Sequence, residues 1–222
     1  PTSASYFVEH APMTKEEMEE EVNQIMFDIT NPYLRRIVHN ILKKYQEAFF
    51  EFPAAKRHHH AFVGGLSFHT VSMLRLAKAI ATQYTQINRS LLYSGVILHD
   101  IGKTMELTGA IGTEYTLKGN LLGHIVIMDE EITKACEELC IDENQEDVLL
   151  LKHVVLAHHG KLEYGSPVRP QLLEAEVLHH IDLLDATITM MSNALDKTEP
   201  GAFSERVFGL DNRSFYKPLS HE

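Results

Sequence analysis

The sequence predicts an almost wholly α-helical fold with one short β-hairpin. Three observations carry this: apolar residues recur at helical spacing through most of the chain, capping residues open those stretches, and a single segment alternates β-favouring residues about a glycine-rich turn. Thr14 followed by Glu17 is a capping box, and Met18, Val22, Ile25 and Met26 then recur at helical spacing, predicting a helix over 15–29. Asn31 caps a second helix with Pro32 in its first turn, and Leu34, Ile37, Val38, Ile41, Leu42 and Tyr45 mark the buried stripe until Pro53 stops it. Residues 56–65, Lys-Arg-His-His-His-Ala-Phe-Val-Gly-Gly, read as a loop, whose closing Gly64-Gly65 pair allows close backbone approach. A third helix over 66–84 carries His69 in its first turn, and a fourth over 89–101 ends at Gly102, which puts His99 and Asp100 at a helix end. The hairpin is expected between Met105 and Leu117, around Gly109-Ala110-Ile111-Gly112. Three more helices follow, over 121–139, over 143–159 before Gly160, and over 170–196. The tail from Gly201, with Phe203, Phe208, Phe215 and Tyr216, carries too many aromatics for a disordered end and is expected to pack back on the bundle.

At 222 residues the chain is long enough to bury one real core, and 44% hydrophobic with 23% charged residues excludes a disordered, collagenous or membrane protein. The net charge of −11 argues against a broad basic surface for nucleic acid and leaves room only for a narrow basic or metal-lined cleft. The most apolar run, Val148 to Ala157, is broken by Lys152 and His153, so no membrane span is expected. Cys136 and Cys140 are too few for a disulfide framework and read as plain thiols, which with the lack of a signal peptide points to the cytoplasm. The chain opens on Pro1 rather than a methionine, which reads as a fragment or processed form with something upstream.

Of the 14 histidines, 11 fall between His58 and His180, several of them beside Gly, Asp or another His at predicted helix ends. Neutral imidazole is the commonest metal ligand, and divalent ions also take carboxylates, so histidines grouped with one or two Asp are what a catalytic metal site requires. His69, His99-Asp100, His124, His158-His159 and Asp182 are far apart in sequence, yet facing helices of a bundle can bring such residues together.

In order and wording these segments resemble the HD-domain metal-dependent phosphohydrolases: Gly-Gly-Leu-Ser-Phe-His-Thr at 64–70, His-Asp-Ile-Gly-Lys at 99–103, His124, His-His-Gly at 158–160 and Ile-Asp-Leu-Leu-Asp-Ala at 181–186. His-His-Ala-Phe-Val-Gly-Gly-Leu at 59–66, Gly-Asn-Leu-Leu-Gly-His-Ile at 119–125 and Asn-Arg-Ser-Phe-Tyr-Lys-Pro at 212–218 are similar to the YhaM-type bacterial 3′-5′ exoribonucleases. The resemblance implies an HD helical bundle spanning 1–222, with N-terminal helices to about residue 53, a metal-binding core over 54–196 and the packed tail over 197–222. In that family an OB-fold nucleic-acid-binding domain precedes the HD domain; nothing here reads as an OB-fold, so single-stranded RNA or DNA would be held chiefly by a part absent from this sequence.

By the same resemblance one divalent ion is held by His69, His99, Asp100 and Asp182, and His124, His158 and His159 match the pattern of two-metal members with Asp100 as bridge. Manganese is the expected ion, with Fe, Co, Zn or Mg as alternatives. Asp100 and Lys103 are the expected catalytic pair, the lysine neutralising a phosphate oxygen. Asp185, one turn beyond Asp182, is either a ligand or a partner of one. His58, His59 and His60 could touch a phosphate or base or belong to a solvated loop, His60 being the one favoured for contact. His153, His179 and His180 read as core or surface histidines, and Lys161 and Arg169 as loop charges that could guide a polyanion. Tyr164-Gly165-Ser166-Pro167 departs from the HD-GYP signalling branch, which argues against a cyclic dinucleotide. The expected function is metal-dependent 3′-5′ hydrolysis of single-stranded RNA; a small-nucleotide phosphohydrolase, or a nucleic-acid-binding domain with a structural metal, are the alternatives.

Overall fold

A computed structural model describes residues 10–56 and 60–220. Its elements are α1 (Lys15–Asp28), α2 (Pro32–Glu51), α3 (Gly65–Gln83), α4 (Arg89–Leu98), the short α5 (Lys103–Glu106), α6 (Leu117–Leu139), α7 (Glu146–Leu156) and α8 (Leu173–Asp196). Local signals set the first two helices where the spacing predicts them. Thr14 Oγ1 accepts from Glu17 N at 3.2 Å, and Asn31 Oδ1 accepts from the amides of Tyr33 and Leu34 at 3.0 and 3.1 Å.

The architecture is built around α4. Every residue from Ser90 to Leu98 is buried, and the helix packs against α1, α2, α3, α7 and α8. A helix apolar on all sides belongs in the middle of a core, and each fully buried Leu, Ile or Val there contributes about 1.5–3 kcal/mol. The end of this immobile rod is His99-Asp100. α3 and α8 lie together on one flank, and α6 and α7 on the other, so the residues they carry converge on that end.

Several boundaries differ from expectation. The fourth helix stops at Leu98 rather than Ile101, because the chain tightens into successive turns (Lys103 N to Asp100 O, Thr104 N to Ile101 O) before restarting as α5. Of the hairpin expected between Met105 and Leu117 the structure has one antiparallel bridge, Leu107 to Tyr115, with Thr108 N donating to Glu114 O and Thr116 N to Glu106 O, both at 2.9 Å. Met105 and Glu106 belong to α5, and Thr116 caps α6 by accepting from Gly119 N at 2.9 Å. α6 therefore begins four residues before the expected Leu121 and is kinked at Gly123, whose φ of 76° and ψ of 155° are a conformation close to glycine-only. The sixth and seventh expected segments are trimmed to Glu146–Leu156 and Leu173–Asp196.

The tail does not bury its aromatics as expected. It pairs with itself, through antiparallel bridges Phe203–Tyr216 and Val207–Arg213, and among its described residues only Ser204 and Leu210 become buried, leaving Phe203, Phe208 and Tyr216 largely exposed. His58 and His59 lie outside the described residues. No helix among the described residues is long and apolar enough to cross a membrane.

Candidate metal centre

The convergence at the end of α4 gathers two adjacent sets of ligand atoms. His69, His99, Asp100 and Asp182 offer one set and His124, His158 and His159 another, the atoms within each set lying within 4.8 Å of one another. Asp100 stands between them. Its Oδ2 faces His99 Nε2 at 3.1 Å and His69 Nε2 at 3.9 Å, while its Oδ1 faces His124 Nε2 at 3.3 Å and His158 Nε2 at 3.6 Å. Lys103 Nζ approaches Oδ2 at 3.4 Å. Burial raises the Asp100 carboxyl, but the His99 and Lys103 charges and the His124 ring outweigh it and hold it well below the ordinary carboxylate range.

The histidine rings are oriented from behind. His99 Nδ1 donates to Val96 O at 2.6 Å, His158 Nδ1 to Val155 O at 2.6 Å, and His159 Nδ1 to Tyr164 O at 2.7 Å. A backbone carbonyl only accepts, so each Nδ1 donates and each Nε2 is left facing the centre. His124 is fixed by Glu106, whose Oε2 accepts from its amide at 2.6 Å and from Nδ1 at 3.1 Å. Burial, then the charges of His159 and His99, push His158 well below the usual imidazole range, and burial also lowers His159; both are neutral, as a ligand must be.

His69 differs from the others. Its Nε2 meets Asp182 Oδ1 at 2.8 Å and its Nδ1 meets Asp185 Oδ2 at 2.6 Å. Burial lowers this imidazole, but the bonds to the two carboxylates prevail and hold it up at about 9. Asp185 is in turn tied to Ser72 Oγ, 2.5 Å from Oδ1, and to His60 Nε2, 3.3 Å from Oδ2. Asp185 thus backs His69 while Asp182 shares its inner face, the arrangement in which an outer carboxylate sets the tautomer of a ligating histidine.

The His60 side chain is fully buried, with Nε2 also 3.3 Å from Thr189 Oγ1, so it reaches Asp185 rather than a solvated cleft; burial, then the His69 charge, push it down to about 4. Lys103 lies beside Asp100. His153 is away from the centre, its Nε2 accepting from Gln171 N at 2.9 Å, and His180 is exposed and paired with Glu176. His179 supports the centre indirectly, donating from Nδ1 to His158 O at 3.1 Å. The sequence does not single out Glu106 or Ser72. Ser72 had a signal, being one turn from His69 on the same helix; Glu106 had none, 18 residues from His124 in a stretch read as β.

The donor set fits a divalent ion. Nε2 of His99, His124 and His158 are buried and find no hydrogen-bond partner among the described residues, a cost of about 1–3 kcal/mol each that coordination removes.

An HD-domain family model matches residues 66–187, which contain every residue of both sets. The chain is 59% identical over 217 residues to the 3′-5′ exoribonuclease YhaM of Listeria monocytogenes serotype 4b, covering 98% of this chain and 69% of that protein. It is 60% identical over 216 residues to the 3′-5′ exoribonuclease YhaM of Listeria welshimeri serovar 6b, covering 97% and 68%. The chain belongs to the YhaM family of HD-domain 3′-5′ exoribonucleases. An HD domain takes a divalent metal, and the clusters described above are where this chain's side chains can hold one. A second family model, of a proposed helicase family, matches residues 4–90, which is under half of the chain. No solved structure matches the chain.

The backing of His69 is directly testable. Asp185→Ala leaves His69 Nδ1–H and Ser72 Oγ without their acceptor, and loss of such an outer partner weakens metal binding about 10- to 100-fold. Titration of Mn²⁺ followed by the paramagnetic resonance of the free ion measures it, and unchanged affinity would deny Asp185 that role.

Proposed function

We propose that this centre shortens single-stranded RNA from the 3′ end by hydrolysing the terminal phosphodiester, with residues 1–222 acting as one HD domain. The observation that carries the reading is the placement of Asp100, one carboxylate oxygen toward each histidine set. A carboxylate so placed can bridge two ions. His69, His99, Asp100 and Asp182 would hold one and Asp100, His124, His158 and His159 the other. Bound divalent ions, manganese first among them, supply an activated water and neutralise charge on the phosphate.

The protein's own part is positioning. The Nδ1 bonds to Val96, Val155, Tyr164 and Glu106 hold the four imidazoles in one tautomer, so no reorganisation accompanies turnover. Lys103, with a mostly buried side chain, places its ammonium beside Asp100 and donates to a non-bridging phosphate oxygen. Its neighbour Asp100 is kept ionised through the whole working range by His99 and Lys103. With a net charge of −11, this reading leaves most of the strand's binding energy to an upstream nucleic-acid-binding domain. The two cysteines, Cys136 and Cys140, are free thiols, in keeping with a reducing cytoplasm.

The test is degradation of a 5′-labelled single-stranded RNA with Mn²⁺, beside the same length of DNA and a panel of mononucleotides. A ladder shortening from the 3′ end that stops on chelation is expected, and exchange of Mn²⁺ for Fe²⁺, Co²⁺, Zn²⁺ or Mg²⁺ ranks the ions. Turnover of mononucleotides alone would replace this reading with a small-nucleotide phosphohydrolase. Strand binding with no turnover in any metal would make it a binding domain.

A further inference from the structure

The cleft does not end at the metal centre. A cavity of about 530 Å³ lies over it, walled by His158, His159, Tyr164 and Ala186. A second, of about 360 Å³, lies between α8 and the tail and is walled by Met190, Lys197, Arg206 and Phe208. Gly209 borders both. On α8 the wall residues Asp182, Ala186, Met190, Asn193 and Lys197 recur at three- and four-residue spacing, which is one helix face, and from Asp182 to Lys197 that face runs about 22 Å. The two cavities are therefore stretches of one groove that starts at the metal ligands and leaves along α8.

The chemistry changes along this groove. At the inner end are histidines and Asp182; at the outer end are Lys197 and Arg206, neither within ion-pair distance of a carboxylate among the described residues, with Glu205 as the acidic residue of the wall. An exposed aromatic ring stands at each stretch. Tyr164 is 59% exposed and has the Lys161 ammonium 5.3 Å from its ring centre; Phe208 is 77% exposed. Tyr164 is tied to the centre, because its carbonyl accepts from His159 Nδ1. Aromatic faces beside cations, in file, are what a single strand needs: every base has a π-face to stack, and every phosphate a charge to neutralise.

We propose that this groove seats the nucleotides on the 5′ side of the scissile phosphate, with bases against Tyr164 and Phe208 and backbone phosphates against Lys197 and Arg206. The proposal rests on the 3′-end reading above, since a strand entering by its 3′ end must leave its remainder along an open path from the metals.

The experiment measures binding and turnover separately. Fluorescence anisotropy of a labelled RNA octamer on the wild type, Lys197→Gln/Arg206→Gln and Phe208→Ala is set beside Mn²⁺-dependent hydrolysis of the octamer and of bis(p-nitrophenyl) phosphate, a diester too short to reach the groove. For Phe208→Ala the octamer dissociation constant is expected to rise about tenfold, the value of one base stack. For the double variant the slope of log affinity against log salt is expected to fall by about 1.4, which is roughly 0.7 for each single-strand phosphate deprived of its cation. The octamer should lose much more than the short diester. Equal octamer affinity and equal salt slope in all three proteins would overturn the groove. So would a matching loss on the short diester, which would mean a disturbed centre. If the wild type binds the octamer and the variants do not, yet nothing is degraded, the groove stands and the exonuclease reading falls.

Discussion

On the proposed function, Asp100→Asn is expected to lower Mn²⁺-dependent hydrolysis of the RNA by about a thousandfold or more, because several kcal/mol of transition-state stabilisation would go with the ions it is proposed to hold, at about 1.4 kcal/mol for each tenfold. The substitution keeps the shape of the side chain and removes its charge. Among the described residues Asp100 is the carboxylate that faces histidines of both sets, so its loss is the single change expected to empty both halves of the centre. The fold is expected to survive. An asparagine side chain, with both a donor and an acceptor, can hydrogen-bond to Nε2 of His124 or His99, which find no hydrogen-bond partner among the described residues, and α4 behind it is held by its own buried residues. Two measurements separate loss of metal from loss of fold. Elemental analysis should find the variant depleted in metal, and its unfolding midpoint should no longer respond to Mn²⁺, whereas an ion at 100 times its dissociation constant stabilises a binding-competent protein by about 2.7 kcal/mol. A variant that keeps its metal and its rate would remove the bridging carboxylate from the mechanism.

The same residue shows why part of this centre can be read from sequence. His99-Asp100 ends a run, Leu91 to Leu98, so apolar that it must lie inside a core, and His-Asp beside Gly-Lys at the end of such a rod is aimed and immobile. His69, His158 and Asp182 likewise sit beside glycines or on long helices whose period is plain. The features that stayed hidden depend on which distant backbones touch. His60 lies in a histidine run that reads as solvated as readily as buried, and only the approach of α8 encloses it beside Asp185 and Thr189. Glu106 sits in a segment whose alternation favours β, yet the successive turns after Asp100 draw it into α5 and onto His124. The start of α6 was blurred by Gly119 and Gly123, which interrupt the helical period although Thr116 caps the helix before them. In the tail, aromatic content argued for burial, but the backbone found its partners within the tail itself, leaving those rings to solvent.

Gly102→Ala is expected to separate the two halves of the centre. Gly102 has helical φ and ψ of −55° and −22°, so the conformation itself suits alanine, and through the unfolded state the change would stabilise the chain by about 0.4–1 kcal/mol. Space decides against it. A Cβ at this position would stand 2.3 Å from the carbonyl oxygen of His124 and 3.2 Å from its Cα. Those are backbone atoms at the Gly123 kink and cannot swing aside as a side-chain end would. The turn after α4 and the start of the second half of α6 must therefore move apart, at a cost of about 1–3 kcal/mol for such overpacking. That outweighs the entropic gain and lowers the unfolding midpoint by roughly 2–8 °C in a chain of this size. The displacement falls on the 3.3 Å between His124 Nε2 and Asp100 Oδ1, so the second set of ligands should lose its ion while His69, His99, Asp100 and Asp182 keep theirs. On the proposed two-ion reading, a metal stoichiometry that drops toward one, with a tenfold or larger loss of rate, is the expected pattern. Full stoichiometry in a destabilised variant would show that the contact between the two backbones is structural only, and that His124 does not depend on it for its place beside Asp100.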